Sequence, residues 1–158
     1  MSCVAWCNYT GELRPTKEPG SSLVQWEIVL ATFSNWFRNE LLGIFEGETP
    51  TIPTQFYIAC NTTASTAAAQ GTELTGDNYS RSSITFERVS DIQRWNPADI
   101  YSPIATADWD EILSFSLHDA PTGGNYYAFG NTGAPVSIVS GKAVLWPANG
   151  VVVGLGSL

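Results

Sequence analysis

A chain of 158 residues with 44% apolar content has the length and composition of one globular domain. Its 15 acids against 7 bases leave a net charge of −8, which removes the counterion-release affinity that nucleic-acid binding needs. No apolar run approaches the roughly 20 residues of a membrane span, and Met1–Trp6 carries neither a basic n-region nor an apolar core, so no signal peptide is expected.

Residues 3–9 (CVAWCNY) predict a short strand, and residues 10–20, with Gly11, Pro15, Pro19 and Gly20, predict a loop. Residues 23–33 fit both periods, and their β-branched and aromatic content favours a strand. Residues 34–46 form the clearest helix. Ser34 suits the N-cap, Phe37, Leu41, Ile44 and Phe45 share one face, and Gly47 suits a left-handed cap. The Pro50 and Pro53 segment then forces extended chain.

Beyond residue 54 the pattern is β. Strands are expected at 55–61, 80–89, 111–117, 125–129, 136–139, 142–146 and 151–155. Residues 62–76 read as a small, polar loop, and residues 90–103, with Trp95, Pro97 and Pro103, as an irregular excursion. Residues 111–117 alternate Leu113, Phe115 and Leu117 with Ser114 and Ser116, the pattern of a half-buried strand. Residues 119–124 (DAPTGG) and 130–134 carry turn chemistry. Short strands at this spacing predict a mainly β fold: a single-domain β-sandwich or partly open barrel, antiparallel meander or Greek key, with one short N-terminal helix. The expected division is an N-terminal arm, residues 1–32, and a β-sandwich domain, residues 33–158.

Only 14% of residues are charged, against about 25% in ordinary soluble domains. Ser, Thr, Asn and Gly fill the gap, as on a surface that is touched over much of its area. The aromatic load is high, with 6 Trp, 6 Tyr and 7 Phe. Trp109, Phe115, Phe129 and Trp146 fit core positions of strands. Tyr126 and Tyr127 are neighbours, so one of them should face outward, where tyrosine makes good contacts. Trp6 and Trp26 lie in the expected arm. Trp6, Trp26, Tyr126 and Tyr127 are therefore the interface candidates.

The chemistry-bearing residues are sparse. Three cysteines, Cys3, Cys7 and Cys60, argue against a closed disulfide framework. With one histidine, His118, a Cys/His zinc site would need all four. Free thiols fit assembly in a reducing cytoplasm. A Ser-His-Asp site would have to use His118, but Asp119 beside it on a strand end would point away, and no G-x-S-x-G is present. Asp108, Asp110 and Glu111 around Trp109 are the one acidic group that could suggest glycosidase chemistry. A core or edge role for Trp109 is the stronger reading. No metal loop or phosphate loop is present. The expectation is no catalytic residue, no cofactor and no metal.

Four segments, taken together, resemble small tailed-phage proteins labelled tail-fibre-like. They are residues 41–63 (LLGIFEGETPTIPTQFYIACNTT), 76–81 (GDNYSR), 106–130 (TADWDEILSFSLHDAPTGGNYYAFG) and 136–141 (VSIVSG). The most specific is the run from T-A-D-W to T-G-G-N. The chain departs from that pattern in its N-terminal extension and in the longer segment 91–103. The resemblance implies a non-enzymatic structural protein of the virion, assembled in the bacterial cytoplasm and attached to the particle exterior at the tail fibre or baseplate, or as capsid decoration. It implies other virion proteins as partners and a homo-oligomer, with a trimer among the options. A carbohydrate- or receptor-binding module, stacking Trp109, Tyr126 or Tyr127 on a host surface glycan, is the alternative. A glycan-degrading enzyme using Asp110 and Glu111 stands third.

Overall fold

A computed structural model describes residues 23–25, 28–30 and 32–155. The expected strand at 3–9, with Trp6, Cys3 and Cys7, lies outside the described residues, as does Trp26. Among the described residues there are twelve strands, one α-helix and one 3-10 turn.

The strands are β1 (Leu23–Gln25), β2 (Ile28–Leu30), β3 (Thr32–Phe33), β4 (Phe56–Asn61), β5 (Ser82–Ile84) and β6 (Glu87–Arg88), then β7 (Gln93–Trp95), β8 (Ile100–Tyr101), β9 (Ile112–His118), β10 (Tyr126–Val136), β11 (Ala143–Trp146) and β12 (Val151–Gly154). They form three open sheets, none closed into a barrel: β3-β10-β9-β4-β5, β2-β12-β7-β6 and β1-β11-β8. Pairing is antiparallel except where β1 joins β11 and β2 joins β12 in parallel. The mainly β class with one short helix is the class the turn spacing predicts.

One core serves all three sheets. Ile58, Phe115 and Leu117 come from the five-stranded sheet, Val144 and Trp146 from the three-stranded sheet, and Val151 from the four-stranded sheet. Phe115 and Trp146 meet edge to face at 5.7 Å across two of these sheets. Phe115, Phe129 and Trp146 are buried from strands, as expected, and Trp109 is buried as well, but from the irregular segment before β9 and not from a strand.

The helix α1 (Asn35–Gly43) starts where the sequence says. The Ser34 hydroxyl accepts from the Phe37 N–H at 3.1 Å and donates to the Tyr126 carbonyl, so one side chain both caps the helix and ties it to β10. The 3-10 turn Ile44–Glu46 follows, and Gly47 closes it at φ 86°. The expected apolar face is only half right. Phe37 and Leu41 are half-buried, whereas Ile44 and Phe45 are exposed. The tighter winding of the 3-10 turn rotates these two off the face that a continuous α-helix would give them.

Other expectations need correction. The irregular excursion at 90–103 contains β7 and β8. Residues 80–89 split into β5 and β6, which sit in different sheets. Residues 130–134 do not turn: β10 runs through them with a shift of register between Asn131 and Val136. There the Thr132 hydroxyl donates to the Leu113 carbonyl at 2.9 Å, holding the irregular stretch to β9. Residues 137–139 leave the strand.

The largest surprise is β9. Ser114 and Ser116 read as the polar face of a half-buried strand, yet both are fully buried, as is His118 at the strand's end. The loop bonded over Ser114 is the small-residue segment 62–71. Ser65 bonds Ser114 at 2.8 Å between hydroxyls, and the Asn131 side chain bonds Ser65 through both its N–H and its carbonyl. Gly71 lets the loop fold tightly, since a Cβ there would sit 2.1 Å from the Thr63 carbonyl oxygen.

Candidate functional site

Three of the segments that carry the family resemblance meet at one place, beside the end of β9. Arg81, from GDNYSR, is buried. Its Nε and Nη2 donate to the two oxygens of Glu73 at 2.8 and 2.6 Å. Its Nη1 donates to the carbonyls of Ala120 and Gly123 at 2.8 Å each. One guanidinium thus clamps the DAPTGGN turn to the strand region before β5. Its planar fork suits this task, and a lysine's point charge would not.

The turn is held from inside as well. Asp119 accepts from the Asn125 backbone N–H at 2.7 Å and from its side-chain amide at 2.8 Å. Gly124 has φ 73°, and a Cβ there would lie 2.4 Å from the Asp119 carboxylate. The T-A-D-W segment arrives from the other direction. The Trp109 indole N–H donates to the Asp77 carbonyl at 3.1 Å, and its ring meets Tyr79 edge to face at 5.5 Å. The Tyr79 hydroxyl accepts from the Cys60 N–H at 2.9 Å and donates to Glu73 at 3.2 Å.

The electrostatics follow from this packing. Burial alone would raise the Glu73 carboxyl, but the Arg81 fork outweighs it and holds Glu73 below its ordinary value. Burial pushes the Tyr79 hydroxyl and the Cys60 thiol up, so Cys60, free and buried, is an inert core residue. His118 is lowered to about 4, first by burial and then by the Arg81 charge, against the pull of Glu73 and Asp119.

The Ser116 hydroxyl and His118 Nε2 are 3.0 Å apart, the spacing of a nucleophile and its base. Both are 0% exposed, and neither lines the cleft among Phe33, Phe37 and Phe56 or the one among Pro53, Gln55 and Ile84. The pair belongs to a buried polar row with Asn61, whose amide donates to Ser116 at 3.0 Å and to Ser114 at 3.2 Å. The acids around Trp109 do not converge on a cleft. Asp108 accepts from the Ser140 N–H at 2.8 Å, and Asp110 and Glu111 are exposed. Among the described residues no group of His, Cys, Asp and Glu could hold a metal ion, and no helix is long and apolar enough to cross a membrane.

Of the interface candidates, Tyr127 packs inward at 3% exposure, against Trp36, Phe37 and Phe56 at 5.0 to 5.2 Å. Tyr126 is half-buried. Its ring lies beside His118 at 5.8 Å, and its hydroxyl donates to the Thr66 carbonyl at 2.9 Å. Sequence reasoning did not single out Arg81 and Glu73 as a clamp. The signal available was a buriable Arg in an otherwise base-poor chain, eight residues after a Glu.

These features define a mainly β module whose motif residues brace one another instead of lining a reactive cleft. Residues 32–154 match the family described as Podophage GP4 fiber I protein gp80, and the chain belongs to that family of phage fibre proteins. No curated protein matches the chain.

Proposed function

We propose that this chain is a non-catalytic structural module of a tailed-phage virion, mounted on the particle exterior as part of the tail fibre or its baseplate attachment. The observation that carries the reading is the family match over residues 32–154. The burial of His118, Ser116 and Arg81, the last paired with half-buried Glu73, supports it, because these polar groups are spent on fixing one rigid shape. In this reading residues 33–158 are the module. Residues 1–32 are the arm: its β1 and β2 pair with β11 and β12 of the module, and the chain around Trp6 and Trp26 docks it to other virion proteins or to further copies of itself. Tyr126, partly exposed on the sheet face, is the contact residue on the module.

Quantitative mass spectrometry of gradient-purified particles tests this directly. A tail location gives a low copy number per particle. Hundreds of copies would move the module to the capsid, and absence from purified particles would overturn the structural reading.

A further inference from the structure

The end of α1 combines two features that the rest of the fold leaves without purpose. The first is apolar exposure: Leu42 is 61% exposed, Ile44 49% and Phe45 88%. Single exposed apolar residues are common on any protein. Three of them within four positions of one rigid cap concentrate exposed apolar surface at this end of the helix, with Ile44 and Phe45 adjacent in the 3-10 turn. The cap is rigid because the Gly47 N–H donates to Ile44 at 3.1 Å and the Glu48 N–H donates to Gly43 at 2.9 Å.

The second feature is charge of the wrong sign. A helix C-terminus presents unsatisfied carbonyls and the negative end of the macrodipole, so it favours cations. Here the last turn of α1 holds no basic residue. Glu46 and Glu48 follow it instead, and neither has an ion-pair partner among the described residues. A Cβ on Gly43 would lie 2.5 Å from the Glu48 carboxylate, so that charge sits directly against the helix end. Among the described residues no cation pairs with either glutamate to offset this local charge.

We propose that the Leu42–Glu48 cap is a docking surface for another virion protein, one whose contact face is apolar at its centre and rimmed by Lys or Arg. Apolar side chains would cover Phe45 and Ile44, and the basic rim would meet Glu46, Glu48 and the negative end of the helix dipole. A second copy of this chain is a poor occupant, because its net charge is −8 and it carries 7 bases in all. The proposal rests on the fibre reading and adds the location and chemistry of one contact.

The test supplies the full-length chain in trans during infection by particles that lack it, and measures its amount in purified particles. Wild type, Phe45→Glu, Phe45→Ala and the double change Glu46→Lys with Glu48→Lys are compared, with Asp110→Lys as an exposed control elsewhere. Phe45 is nearly fully exposed, so Phe45→Glu should melt like the wild type. Incorporation should fall about tenfold or more for Phe45→Glu and for the charge reversal, and less for Phe45→Ala, with the control unchanged. Normal incorporation of Phe45→Glu overturns the proposal. Loss with Phe45→Glu but not with the charge reversal overturns the basic rim. Dissociation of a wild-type oligomer by Phe45→Glu in sedimentation would make a second copy the occupant and also overturn it. If wild type itself fails to incorporate, the fibre reading fails instead.

Discussion

Arg81 bonds three places that the sequence keeps apart: Glu73, Ala120 and Gly123. Its side chain is 3% exposed and that of Glu73 is 23% exposed. Arg81→Ala would leave the half-buried Glu73 carboxylate with only the Tyr79 hydroxyl among these partners and strip the Ala120 and Gly123 carbonyls of theirs, and should cost about 3 kcal/mol. Arg81→Lys should cost about 1–2 kcal/mol, since an ammonium cannot reproduce the fork. Urea denaturation of the two variants should rank them in that order.

His118 gives the fold a pH dependence. Its ordinary value is 6.5 and burial, aided by Arg81, lowers it to about 4 in the folded protein. The unfolded chain therefore binds more protons between those values, and stability falls as pH drops from 6.5 toward 4. The full loss is about 3 kcal/mol. Glu73, lowered by its arginine partner, adds a further loss at lower pH as it protonates. Melting temperature followed from pH 7 to pH 4 should decline, and His118→Asn should flatten the part above pH 4. A wild-type profile flat across that window would contradict the burial argument.

The same residues show why sequence reading stopped where it did. Phe115, Phe129 and Trp146 were legible as core because each sits in a strand-like run with large apolar bulk, and Trp109 by its own bulk although it lies outside any strand. Ser114, Ser116 and His118 were not, because alternation within a strand says which residues share a face but not what lies above it. Here the cover is a loop some fifty positions away, fixed by Ser65 and Asn131.

Among elements, the DAPTGGN turn and the N-cap of α1 were both visible in the sequence, and both can be tested locally. Gly123 and Gly124 have φ 62° and 73°, but space opens beside Gly123 and the Asp119 carboxylate crowds Gly124. Gly123→Ala should cost about 1 kcal/mol from backbone strain alone. Gly124→Ala should cost distinctly more, because its Cβ must also displace the bonds that Asp119 makes to Asn125. Ser34→Ala should cost about 1 kcal/mol for the cap, and somewhat more because the bond to Tyr126 goes with it. Thermal unfolding of the three variants under one buffer gives the comparison.

The strand order was beyond the reach of the sequence for a related reason. Hydrophobic runs located β4, β9, β11 and β12, but β7 and β8 are two to three residues long and lie among prolines, so period-2 alternation has no room to show. Gly130, Thr132 and Gly133 carry turn chemistry, yet β10 passes through them because Thr132 and Asn131 find partners on β9 and on the covering loop. Tertiary bonds decided the outcome there over local preference.

At the scale of the whole molecule, the proposed function makes this β module a virion component held through its N-terminal arm and the α1 cap. If residues 1–32 are the arm, removing residues 1–20 should leave a module with the same near-ultraviolet dichroism that no longer enters particles. A truncated chain that still incorporates would move the docking function elsewhere, and the cap at Leu42–Glu48 would then carry the attachment alone.

The most direct measurement is an image reconstruction of the intact virion at a resolution that shows strands. The account predicts this three-sheet module in density on the exterior of the tail apparatus, with Phe45 against a neighbouring protein. Particles whose density and composition lack the module would contradict it.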